Sequence, residues 1–72
     1  MGITKVIQLT TSDALELFAR KIPNATKMLV DYGRDSLLIQ FDNIHEKEYS
    51  ISEIKHQTES AAKLRGVTIE WR

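Results

Sequence analysis

Three observations make this an α+β chain of two layers. Short runs rich in β-branched residues, Ile3–Leu9 and Val67–Arg72, lie at the two ends of the 72 residues. Two more, Lys27–Tyr32 and Ser36–Phe41, flank a glycine-containing turn in the middle. Two stretches of helical period, each opened by a Ser/Thr cap, separate the ends from the middle. The order is strand, helix, strand, strand, helix, strand. Two helices on one face of a mainly antiparallel sheet then form a two-layer sandwich, a single domain over residues 1–72.

The first strand alternates imperfectly, with Ile7 and Leu9 inward and Val6 on the opposite side. Thr10-Thr11-Ser12-Asp13 concentrates N-cap residues. Thr10 and Asp13 have a variant of the capping-box spacing, and Ser12 is a competing cap. Leu15, Phe18, Ala19 and Ile22 follow at i, i+3, i+4 and i+7, one apolar stripe of a helix. Arg20 and Lys21 suit its last turn, and Pro23 stops it at Lys21 or Ile22.

Asn24-Ala25-Thr26 reads as loop and Lys27–Tyr32 as the second strand. Tyr32-Gly33-Arg34-Asp35 is a turn, with Gly33 free to take a positive φ. In the third strand Leu37, Ile39 and Phe41 share a face, and Asp42-Asn43 ends it. Residues 46–49 admit two readings: a solvated charged loop, or a short strand, Lys47 to Tyr49, returning along Leu38-Gln40.

The second helix has the best-specified ends. Ser50 and Glu53 have capping-box spacing, and Tyr49 and Ile54 stand where a hydrophobic staple would place them. Ile51, Ile54, Thr58, Ala61 and Leu64 are the expected inward positions. Gly66, just past Arg65, can end the helix in the left-handed conformation. Val67, Ile69 and Trp71 alternate with Thr68, Glu70 and Arg72 in the last strand, and Trp71 is expected to anchor it in the core. If both helices are right-handed crossovers, this element order resembles the ferredoxin-like split βαβ arrangement.

Composition narrows the function classes. Ten Lys and Arg balance ten Asp and Glu, so no excess of positive charge favours phosphate backbone. Cysteine is absent, which excludes disulfides and thiolate zinc sites. A chain of this length buries only about 60% of its unfolded surface, so its core is thin and oligomerisation is the expected supplement. No apolar run approaches the ~20 residues of a membrane span, and the first residues lack a signal-peptide pattern. A cytoplasmic protein without membrane contact is expected. Asn24-Ala25-Thr26 matches a glycosylation tripeptide only by chance in such a setting.

Catalytic sets are few. His45 and His56 fall in a loop and on an outer helix face, and Asp31 and Asp35 flank the hairpin turn, where carboxylates commonly cap. His45-Glu46 with Glu48 is a weak metal set in a charged loop, and no metal or cofactor is expected. The three glycines are isolated, so no phosphate loop exists. Small acylphosphatases share the element order but carry an Arg in a glycine-containing loop after the first strand; Leu9 leads here directly into Thr10-Thr11-Ser12. RNA-recognition sheets carry exposed aromatics on their central strands; Val6, Gln8, Leu38 and Gln40 occupy those positions here.

The outward apolar residues Val6, Leu29 and Leu38 are the more suggestive set, because apolar patches on an open sheet face mark interfaces. The expectation is a small, non-catalytic protein-interaction or regulatory accessory protein acting as a homodimer. The alternative is a weak nucleic-acid-binding module using Lys55, Lys63, Arg65 and Arg72. An enzyme pairing His45 or His56 with Asp31 or Asp35 is the third and weakest reading.

Overall fold

The computed structural model describes residues 5–42 and 44–72. Five strands and two helices follow in the order β1 (Lys5–Leu9), α1 (Thr11–Arg20), β2 (Ala25–Asp31), β3 (Ser36–Phe41), β4 (His45–Ser50), α2 (Ile51–Leu64) and β5 (Val67–Trp71). The chain is thus a small α+β fold. Ile3, Thr4 and Asn43, assigned above to a strand and a turn, lie outside the described residues.

The strands form two sheets. β2, β3 and β4 make an antiparallel meander, while β1 and β5 pair in parallel. A ferredoxin-like sheet would set the first strand beside the third. Among the described residues β1 pairs with β5 alone, and β3 lies between β2 and β4. Periodicity marks strands but not their neighbours, which is why element order did not reveal this division.

One face of the meander carries the core. Leu37 stands opposite Val30 and Tyr49, and Ile39 opposite Met28 and Lys47. Leu15 of α1 and Ile51 and Ile54 of α2 complete the buried cluster, with Phe18, Ala19, Ile22 and Phe41 packed around it. Phe18 meets Tyr49 edge-on, ring centres 4.9 Å apart. This is the arrangement aromatic quadrupoles favour.

Several local expectations hold. Thr10 caps α1 by accepting from the Asp13 N–H at 3.0 Å, so Thr10 and not Ser12 is the cap. Ser50 caps α2 by accepting from the Glu53 N–H, and Gly66 takes φ +73°. Four differ. β2 begins at Ala25, two residues early, across a register irregularity between Ala25 and Lys27; Thr26 donates to the Gln40 carbonyl there. Tyr32 leaves the strand for a single 3-10 turn with Gly33 and Arg34. The left-handed residue of that turn is Asp35 (φ 54°), not Gly33. Residues 45–50 form a full strand, longer than the short one considered.

The second helix also leaves the core earlier than its stripe suggests. Ile51 and Ile54 are buried and Thr58 is half-buried, but Ala61 is exposed and Leu64 is 91% exposed. Beyond Thr58, α2 runs past the meander and supports β5. Trp71 is half-buried against it, donating from Nε1 to the Glu59 carboxylate at 2.6 Å beneath the Lys55 ammonium, 4.7 Å from the ring centre.

The core therefore lies at one end of a long, thin molecule measuring 50 × 26 × 14 Å between Cα atoms. Ile39→Ala should cost about 2–5 kcal/mol through the cavity it leaves. Leu64→Ala should shift stability by no more than about 0.5 kcal/mol if its side chain is exposed in solution. Urea denaturation of both variants checks the contrast; equal losses would show Leu64 covered.

Candidate protein-interaction surface

The face of the meander opposite the core holds two of the three apolar residues singled out by the sequence. Antiparallel register sets Leu29 on β2 directly opposite Leu38 on β3, and Glu48 on β4 completes the row. Leu29 is 42% exposed and Leu38 half-buried. Lys27, Gln40 and Glu46 flank the pair on one side, and Asp31, Ser36 and Ser50 on the other. The result is a narrow apolar strip in a charged frame. Val6 is not part of it. It is 56% exposed on β1, in the other sheet.

The β1–β5 ribbon is a second, more apolar surface. Ile7 is 39% exposed although it lies on the same side of the ribbon as the half-buried Ile69. Leu17 of α1, 48% exposed, borders an open groove between the helices with Ala14, Phe18, Gln57 and Ala61. Helical period does not point to this groove, because Leu17 stands off the α1 stripe.

The basic residues of the nucleic-acid reading do not converge. Lys55 is engaged over Trp71. Lys63 and Arg65 are exposed at the C-terminal end of α2. Arg72 follows the far end of β5, whose five residues span about 17 Å. Its backbone N–H donates to the Leu9 carbonyl.

Asp31, Asp35 and Asp42 work as caps. Asp31 accepts from the Arg34 N–H at 3.3 Å, with the guanidinium 3.7 Å from its other oxygen. Asp42 accepts from the Ile44 and His45 N–H groups at 2.7 and 3.2 Å. Those two backbone bonds, Ile44 first, hold its carboxyl below the ordinary range. His45 Nδ1 lies 3.4 Å from Asp42, not beside Asp31 or Asp35, and His56 is exposed on α2. Among the described residues no cluster of three or more His, Asp or Glu has metal-binding geometry. Among them, too, no helix is long and apolar enough to cross a membrane.

Asp35 is the carboxylate whose role the sequence reading missed. It accepts from the Ser50 hydroxyl at 2.7 Å, the Ser52 hydroxyl at 2.8 Å and the Ser52 N–H at 2.9 Å. Its carbonyl takes the Ile51 N–H at 3.1 Å. Hydrogen bonds from Ser50 and then Ser52 hold its carboxyl below the usual 3.8.

No protein-family model, curated protein or solved structure matches this chain.

The lowered Asp35 value fixes the sign of a pH effect. Its folded value lies below its unfolded one, so its contribution is full above the unfolded value and is lost as pH falls through the folded value. Asp35→Asn, which keeps a residue tolerant of the positive φ, should lower the urea midpoint at neutral pH, and the gap from the unmodified chain should narrow as pH falls below the ordinary carboxylate value. A gap independent of pH would mean that the charge of the cap contributes nothing.

Proposed function

We propose that this chain is a small, non-catalytic protein-interaction or regulatory accessory protein that acts in the cytoplasm as a homo-oligomer. The observation that carries this is an imbalance of apolar surface. Among the described residues the buried apolar side chains are Ala14, Leu15, Leu37, Ile39, Ile51 and Ile54. Against these six stand seven large apolar side chains left exposed: Val6, Ile7, Leu17, Leu29, Tyr32, Ile44 and Leu64. Scattered exposed apolar residues are ordinary, but a fold this thin that leaves seven large apolar side chains exposed favours a covering partner.

The helices are taken as one layer over the core face of the meander, in a two-layer sandwich. On that view the remaining apolar surface lies on the outer face of the meander, on the β1–β5 ribbon and along the helix groove. The non-catalytic part is supported by the engagement of Asp31, Asp35 and Asp42 with backbone N–H groups, which leaves them serving the fold.

Sedimentation equilibrium at micromolar concentration tests self-association. The expected mass is a multiple of the 8.3 kDa subunit. A mass of one subunit overturns the proposal.

A further inference from the structure

A two-stranded parallel ribbon is an unusual element to leave in solvent. Parallel strands are commonly covered on both faces, and isolated two-stranded pairs are marginally stable in water. The two strands of this ribbon are unequally supported. β5 rests on α2, where Trp71 is held by Glu59 and Lys55. β1 contains no buried residue; Lys5, Val6, Ile7 and Gln8 are exposed and only Leu9 is half-buried.

Backbone geometry identifies the free edge of β1. Lys5 N–H donates to the Gly66 carbonyl at 3.1 Å, and the Leu9 carbonyl accepts from Arg72 N–H at 3.0 Å. Successive residues of a strand direct their backbone groups to opposite edges. Lys5, Ile7 and Leu9 therefore turn theirs towards β5, and Val6 and Gln8 turn theirs outward. Among the described residues no other strand meets this edge. Nor is the edge guarded by the usual devices, proline or central charge. Its one charged residue is Lys5, at the end, whereas β5 carries Glu70 within it.

We infer that a second copy of this chain pairs along the outer edge of β1, the two β1 strands antiparallel about a twofold axis, joining the ribbons into one four-stranded sheet, β5-β1-β1′-β5′. This deepens the self-association proposed above, and rests on it, by naming the surface. A twofold axis between identical neighbouring strands makes them antiparallel. Centring the axis on Ile7 pairs all five residues of β1. Val6 and Gln8 then exchange backbone bonds with Gln8 and Val6 of the second copy. Ile7 faces its own copy, and Lys5 faces Leu9, so no like charges meet.

The exposed area of the whole chain suits a covering partner. The chain exposes 5692 Å². A compact monomer of 8.3 kDa would expose about 4,600 Å². The excess is of the order of the ~800 Å² that each partner gives to a standard interface.

The chain contains no cysteine, so a single introduced one reports unambiguously. Ile7→Cys would face its own copy in the closer, non-hydrogen-bonded kind of antiparallel pair, with Cα atoms within disulfide reach. Mild oxidation should convert most of it to a disulfide-linked dimer, while Ile69→Cys should remain largely unlinked. Gln8→Pro removes one outward N–H and should reduce the sedimentation mass to one subunit with its circular dichroism spectrum retained. Leu38→Lys, on the other sheet, should leave the mass unchanged.

An unmodified chain of oligomeric mass whose Ile7→Cys variant links no better than Ile69→Cys overturns the β1 edge and leaves self-association standing. Loss of the oligomer in folded Leu38→Lys likewise moves the interface to the meander. An unmodified chain with the mass of one subunit overturns both. Should Gln8→Pro fail to fold, the contrast between the two cysteine variants still decides.

Discussion

The Asp35 side chain ties the meander to α2, and much of the fold depends on that tie. The first N–H groups of a helix have no partner within it. Here three of them are met from outside the helix: Ile51 by the Asp35 carbonyl, Ser52 by the Asp35 carboxylate and Glu53 by the Ser50 hydroxyl. The placement follows from strand register. Ser36 pairs with Ser50, so the residue before Ser36 lies beside the residue after Ser50. A one-residue slip in the β3–β4 register would move the cap away and turn Leu37 and Ile39 out of the core. Cap and core therefore enforce the same alignment.

That corner also determines how the molecule is divided. The N-terminal turns of α2 are fastened to the meander and bury Ile51 and Ile54. Its C-terminal turns extend past the sheet and carry β5, and β5 in turn carries β1. Backbone pairing and the Trp71 contacts dominate this second half, while buried apolar area dominates the first. A radius of gyration of 13.8 Å, against about 11 Å for a compact 72-residue domain, measures the separation. Regions with few buried apolar contacts open locally more readily than a core does, so the ribbon is the end with most to gain from a covering partner.

Small chains commonly compensate for a thin core with disulfides, metals or association. This one has no cysteine, Asp31, Asp35 and Asp42 cap turns and a helix, and its apolar surface is spread over a strip, a groove and a ribbon edge. Of these, the ribbon edge combines exposed apolar side chains with outward-facing backbone groups.

What could be read from the residues was local. Thr10 with Asp13, Ser50 with Glu53 and Gly66 marked helix ends correctly, because caps depend on neighbours within a few residues. The apolar stripe of α1 and the alternation of Leu37, Ile39 and Phe41 identified core faces for the same reason. Tertiary structure decided what depends on distance along the chain. Asp35 looked like a turn residue because its partners, Ser50 and Ser52, stand 15 and 17 positions away. Ala61 and Leu64 continued the α2 stripe, but both are exposed, past the end of the meander. Val6 was separated from Leu29 and Leu38 because β1 chose β5 as its neighbour. Side-chain period records which way a residue points along its own element; which element lies opposite depends on backbone pairing between segments far apart in the chain, and no local pattern encodes that choice.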